Sequence, residues 1–201
     1  MKTSLAIQAG GQSSRIGTDK ALILFKGQPL IERIIQRLRP IADEILITSN
    51  QPEDLLFLGY PVYPDLYPGL GALGGLYTAL YYSQNPVVLI VATDMPFPSL
   101  ALYQKQIEFL VAQAMDVVIP VSHEGFEPFH AVYRREACLP AVKQALETGQ
   151  KRMISWFPDG KVRVLSVEEV KTYDKRVRAF ININTFEELT QAEMLDDEES
   201  T

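Results

Sequence analysis

The run Val87-Val88-Leu89-Ile90-Val91-Ala92 leaves this chain few options, because six consecutive apolar residues, mostly β-branched, carry no polar alternation. It falls far short of the roughly 20 residues that cross a bilayer as a helix. A strand of this kind must be covered on both faces, inside a sheet with helices on either side. Leu5-Ala6-Ile7, Glu44-Ile45-Leu46-Ile47-Thr48 and Val117-Val118-Ile119 repeat the pattern in shorter form. Helical stripes separate them. Leu30, Ile31, Ile34, Ile35 and Leu38 follow Pro29 and stop at Pro40; Leu73, Leu76, Tyr77, Leu80 and Tyr81 stop before Pro86. A third stripe begins behind a cap at Ser99, and a fourth runs from about Cys138 to Glu147 with Gly149 as its stop. Strands alternating with amphipathic helices predict an α/β fold in three layers around a mostly parallel sheet, with ligands held beyond the carboxyl ends of the strands.

With 201 residues, 47% of them hydrophobic, the chain has material for one core. One domain is expected over residues 1–192, with residues 193–201, rich in acidic side chains, as a solvated tail. The net charge of -6 argues against long nucleic acid or an anionic membrane as partner, so any phosphate must be held by local groups. A single cysteine, Cys138, has no disulfide partner within the chain and sits in a helical pattern as a small apolar residue. The first residues meet Gln8 and the glycines beyond it before a signal-peptide core develops, which favours a cytoplasmic protein.

Directly after the first strand comes Gln8-Ala9-Gly10-Gly11-Gln12-Ser13-Ser14-Arg15-Ile16-Gly17-Thr18-Asp19-Lys20. Glycines let backbone N–H groups face a ligand, and Arg15 and Lys20 bring positive charge to phosphate oxygens. From composition alone, a loop of turn formers with two solvated cations fits as well. Gly11 and Gly17 are one residue too far apart for a Walker A loop, and no Gly-x-Gly-x-x-Gly occurs here. The apolar run delivers Asp94 at its carboxyl end, a position that suits a magnesium ligand or a cap on the turn before Pro96. Asp65 precedes a small-residue stretch through Gly75 that opens a helix, fitting either a ribose contact or close helix-to-sheet packing. Phe180-Ile181-Asn182-Ile183-Asn184 is read as a strand, with Thr185 and Glu188 at capping-box spacing. One of the two asparagines suits a metal or phosphate site opposite Asp94; a hydrogen-bonded strand end suits them equally.

Together these segments resemble the molybdenum cofactor guanylyltransferases, nucleotidyltransferases with a Rossmann-like fold. The resemblance runs from Leu5 to about Leu189. It is carried by Ala9 to Lys20, Leu24-Phe25-Lys26-Gly27-Gln28-Pro29-Leu30, Asp94-Met95-Pro96-Phe97, Phe129 to Arg135 and Asn182-Ile183-Asn184-Thr185. It implies transfer of GMP from GTP to the terminal phosphate of molybdopterin carrying molybdenum, with pyrophosphate released and Mg²⁺ as cofactor. The glycine-rich loop and Asp94 would equally serve a related transferase that uses CTP or acts on a sugar or isoprenoid phosphate, and a non-catalytic nucleotide-binding protein is the reading from another class. Molybdoenzymes or other proteins of cofactor synthesis are the implied partners. The implied nucleotide contacts are Gln8, Ala9, Gly10, Gly11, Lys20, Asn50, Asp65 and Asp94, with Asp94 also on the metal and Lys20 and Arg15 on the triphosphate. The family commonly has leucine where this chain has Gln8. Only two histidines are present, His123 and His130, and no covalent nucleophile is needed; His130 is expected either to face the pterin or to be structural.

Overall fold

The computed structural model describes residues 1–9, 20–157 and 161–197. Ten strands are placed among them: β1 Thr3–Gln8, β2 Leu24–Phe25, β3 Gln28–Pro29, β4 Glu44–Thr48, β5 Val62–Tyr63, β6 Val87–Ala92, β7 Val117–Ser122, β8 Gly125–Phe126, β9 His130–Arg134 and β10 Val162–Leu165. The helices are α1 Leu30–Leu38, α2 Gly71–Tyr82, α3 Leu100–Ala112, α4 Arg135–Glu147, α5 Val167–Tyr173 and α6 Phe186–Asp197.

The main sheet has the order β10-β7-β9-β6-β1-β4-β5, with β8 pairing β7 at one side. β4, β1 and β6 run parallel, as do β5 with β4 and β10 with β7; β9 alone opposes both of its neighbours in this order. Alternate residues of the strands serve two cores, as a pleat requires. Leu5, Ile7, Leu89 and Val91 meet α1 and α3 through Ile31, Ile34, Leu102 and Leu110. On the other face, Ala6, Val88 and Ile90 join Leu76, Leu80, Cys138 and Val142 of α2 and α4. These residues lie at 0% exposure, and each large aliphatic side chain removed from water in this way contributes about 1.5–3 kcal/mol. The three-layer, mostly parallel architecture expected from the sequence is therefore present.

Three boundaries follow local chemistry. Pro29 stands at the N-cap of α1, where its missing N–H costs nothing. Ser99 Oγ accepts from the Leu102 N–H at the start of α3 (3.3 Å). Gly149, just beyond α4, has φ +79°, a left-handed conformation that ends a helix at little cost in glycine. Cys138 is buried and donates to the Asp116 carbonyl (3.3 Å), and burial pushes its thiol far above the usual range. It is an inert core residue.

Two expectations change. Residues 181–184 are not a strand: a 3-10 turn at Arg178–Phe180 leads into an irregular segment held by the Ile183 N–H, which donates to the Asp94 carbonyl (2.8 Å). Nor does a solvated tail begin at residue 193, because α6 continues to Asp197. Glu193 Oε1 accepts from the Lys26 N–H (2.6 Å), and Asp196 is bonded to Arg33. Acidic side chains that find hydrogen-bond donors on the body of the protein lose their reason to remain solvated. Residues 198–201 lie outside the described residues.

Candidate active site

β1 lies between β4 and β6, so the chain passes to one side of β1 and then to the other. Such a reversal opens a crevice at the carboxyl ends of the strands, where doubly wound proteins bind their ligands. Gln8, Thr48 and Ala92 end the three strands at this edge in matched register. The residues just beyond them supply the polar groups.

Lys20 enters from a 3-10 turn, Lys20–Leu22. Its Nζ donates to Asp94 Oδ2 (3.0 Å) and to Asn184 Oδ1 (2.6 Å). The Lys20 and Asp94 side chains are 17% and 23% exposed, so the pair is shielded yet still reachable by a ligand. Three distant segments meet here because a small third core holds them together. Ile23, Phe25 and Leu30 pack with Phe97, Ile183 and Ala192. The Arg33 side chain spans the same region, donating through Nε to the Pro96 carbonyl (3.0 Å) and lying 4.6 Å from the Phe25 ring centroid. Asn184 is fixed by its own backbone as well. The Asn184 and Thr185 N–H groups donate to Glu188 Oε2 (2.6 and 3.0 Å), and the Glu188 N–H donates to Thr185 Oγ1 (3.2 Å), forming the capping box expected at the start of α6.

Further along the crevice, Asn50 Nδ2 donates to Asp65 Oδ2 (3.2 Å), and the Asp65 N–H donates to Asn50 Oδ1 (3.4 Å). Burial raises the Asp65 pKa, partly offset by the bond from Asn50. From β6 to β5 there are three strand spacings, about 14 Å in all at roughly 4.8 Å each. One polar cluster lies near each end of this span. Ala9 is 3% exposed and its N–H donates to the Thr48 carbonyl (2.8 Å). Gln8 is 7% exposed. Gly10, Gly11 and Arg15 lie outside the described residues.

His130 has a structural place. Its ring is wholly buried and stacks on Tyr103 with centroids 3.9 Å apart, and its Nε2 accepts from the Ser99 N–H (3.0 Å). Desolvation holds its pKa down to about 3, so the ring is neutral across the working pH range.

Beside Asn184 opens a cleft of about 610 Å³ whose wall includes Glu127, Lys171, Lys175, Arg176, Phe180 and Asn182. Val177, which also lines it, has φ +52°, an uncommon conformation for a β-branched residue. The basic residues at 171, 175 and 176 were not singled out from the sequence. The signal was present: four cations occur between Lys171 and Arg178, immediately before the asparagine pair. Asn182 takes no part in the Lys20 cluster; its Nδ2 donates to the Phe180 carbonyl (3.2 Å).

Asp94 and Asn184 present hard oxygen donors to one cation, the Lys20 ammonium. Among the described residues, no group of three or more histidine, cysteine, aspartate or glutamate side chains is arranged to hold a metal. That donor set fits a magnesium ion bound by few protein ligands and completed by phosphate and water, and does not fit a closed structural site.

An α/β sheet with a cationic and carboxylate cluster at its switch point is the framework of a nucleotide-handling enzyme. Residues 5–162 match the model of the MobA-like NTP transferase domain. A protein of Carboxydothermus hydrogenoformans described as a probable molybdenum cofactor guanylyltransferase is 35% identical over 90% of each chain. One of Natranaerobius thermophilus with the same description is 36% identical over 94% of each. The crystal structure of molybdopterin-guanine dinucleotide biosynthesis protein A from Archaeoglobus fulgidus superposes with a TM-score of 0.82 at 25% identity, covering 97% of this chain and 99% of that one. The chain belongs to the MobA-like NTP transferase family and is a nucleotidyltransferase.

Proposed function

We propose that this nucleotidyltransferase transfers GMP from GTP to the terminal phosphate of molybdopterin carrying molybdenum, giving the guanine dinucleotide form of the cofactor and pyrophosphate. The observation that carries the reading is the convergence of Lys20, Asp94 and Asn184 at the sheet's switch point, in a chain whose curated relatives are described as guanylyltransferases. The Asn50 and Asp65 pair suits the ribose and base end of the nucleotide, and Lys20 suits the triphosphate. The cleft lined by Lys171, Lys175 and Arg176 opens from Asn184 and suits an acceptor that carries a phosphate. Glu127, whose carboxyl is pushed up by burial, adds a hydrogen-bonding group for the amino edge of a pterin.

In the reaction, an oxygen of the acceptor phosphate forms a bond to the α-phosphorus of GTP as the bond from that phosphorus to the bridging oxygen of pyrophosphate breaks. The attacking oxygen is already ionised, so no side chain need remove a proton. The neutral, buried His130 is consistent with this. Lys20 neutralises charge on the triphosphate and fixes its position, which is where catalysis of phosphoryl chemistry mainly resides. Asp94 and Asn184 would hold Mg²⁺, which when bound supplies charge neutralisation at the phosphate oxygens. The buried thiol and the absence, among the described residues, of any helix long and apolar enough to cross a membrane suit work in the cytoplasm.

The test is pyrophosphate release in the presence of Mg²⁺ and molybdenum-bearing molybdopterin, with each of the four nucleoside triphosphates in turn. GTP is expected to be turned over far faster than the others, and EDTA to stop the reaction. Equal turnover of CTP and GTP would remove the base assignment, and turnover unaffected by chelation would remove the metal.

A further inference from the structure

Gln8 ends the central strand at the switch point, with Thr48 beside it in β4 and Ala92 in β6. Its side chain follows the parity of Ala6, toward the α2 face, and only 7% of the residue is exposed. Gln8 Nε2 is buried and has no hydrogen-bond partner among the described residues. A donor in that state is unfavourable, and such exceptions in folded proteins commonly mark a position that a ligand or water completes.

The packing around the amide supports a purpose for it. Gly75 of α2 lies so close that a Cβ at that position would fall 2.7 Å from Gln8 Oε1 and 3.2 Å from its Cδ, while Nε2 would be 3.6 Å away. The helix approaches the oxygen side of the amide through a residue without a side chain, and the nitrogen is the group left without a partner. A leucine at position 8, as the resemblance leads one to expect, would fill the space with no donor to satisfy. A buried amide at the end of the central strand is a costly way to fill volume and an effective way to read hydrogen-bonding groups.

We propose that Gln8 is a base-specificity residue whose Nε2 donates to the exocyclic carbonyl oxygen of the nucleobase, O6 of guanine. The inference rests on the guanylyl-transfer reading and deepens it by naming the atom recognised. Adenine presents an amino group at the corresponding place and would set donor against donor, leaving the buried nitrogen unpaired; sites built around a hydrogen bond discriminate strongly against analogues that cannot make it. Gly75 is a positioning residue that permits the amide its orientation.

The experiment is calorimetric binding of GTP and of 2-aminopurine riboside triphosphate, which lacks the carbonyl, to the wild type, Gln8→Leu and Gly75→Ala. With Gln8→Leu, GTP affinity should fall about fivefold to tenfold, the value of one hydrogen bond, while affinity for the analogue stays unchanged. Gly75→Ala retains the amide but displaces it, and should lower GTP affinity in the same selective sense even if Gln8→Leu folds poorly. Equal losses for both nucleotides, or no loss for GTP, would overturn the proposal and leave guanylyl transfer standing. A wild-type protein that binds no guanine nucleotide would overturn both.

Discussion

His130 makes the stability of this fold depend on pH in a calculable way. The ring is 0% exposed between Tyr103 and the edge of Phe180, and its Nε2 accepts from the Ser99 N–H, so the folded protein holds it neutral with a pKa of about 3. Once unfolded it titrates at the ordinary 6.5. Because the folded pKa is depressed, the unfolded chain binds the extra proton as pH falls. The stabilising contribution is therefore full above 6.5 and is lost progressively between 6.5 and about 3. At pH 5 the unfolded state lies about 1.5 pH units below its own pKa, and at about 1.36 kcal/mol per unit the loss is about 2 kcal/mol. That is a sizeable part of the roughly 5–15 kcal/mol by which domains are stable. Urea denaturation at pH 7.5 and pH 5 measures it, with His130→Phe as the control. The variant loses the acceptor for Ser99 and should be weaker at both pH values, by about 1–3 kcal/mol. That offset does not depend on protons, so the wild type should fall by about 2 kcal/mol more than the variant between the two conditions. Parallel decline of the two proteins would refute a neutral His130 in the fold.

The remaining predictions concern the site. Asp94→Ala should abolish most turnover while shifting the melting temperature little, because the Ile183 N–H bonds to the Asp94 backbone carbonyl, which the substitution keeps; unchanged turnover would remove Asp94 from the reaction. Lys20→Ala should cost about two to three orders of magnitude in kcat, the scale on which a single charge-stabilising donor is missed, and retained kcat in steady-state pyrophosphate release would count against it. Charge reversal at Lys171 and Lys175 should raise KM for the pterin acceptor and leave KM for GTP alone; an equal rise in both would place the acceptor elsewhere. Asp65, with its pKa raised by burial, should lose its charge at a higher pH than an ordinary carboxylate as the solution is acidified. Nucleotide affinity should weaken over that same range in the wild type, and Asp65→Asn should flatten the profile.

Where the sequence was informative, one segment carried its own explanation. The apolar run at 87–92 could only be an interior strand, and it is β6, 0% exposed from Val87 to Val91. Asp94 could be singled out because it follows the carboxyl end of β6, whose composition is a local property, and Lys20 because it is a cation closing the glycine-rich stretch after β1. β9 was not recognised, since its residues His130–Arg134 mix polar and apolar types and owe their strand conformation to pairing on both sides with β6 and β7. The asparagine segment was misread for a related reason. Alternation of Ile181 and Ile183 with Asn182 and Asn184 is a strand pattern, but no strand of the sheet is there to pair with it, and burial of Ile183 in the third core suffices to fix it.

That third core explains why the site is more than the sum of its local signals. Asn184 lies 164 residues from Lys20, and no periodicity relates them. What brings them together is burial of Ile23, Phe25 and Leu30 against Phe97, Ile183 and Ala192, reinforced by Arg33, which joins the Pro96 carbonyl to Asp196 at the end of the chain. Asp196, first read as part of a solvated tail, thus belongs to the clamp that holds the Lys20 side of the site together. Weakening that clamp at Asp196 should therefore loosen catalysis without touching a group that contacts substrate. The loss should appear in kcat rather than in KM for GTP, since nucleotide recognition is proposed at Asn50 and Asp65, at the other end of the crevice.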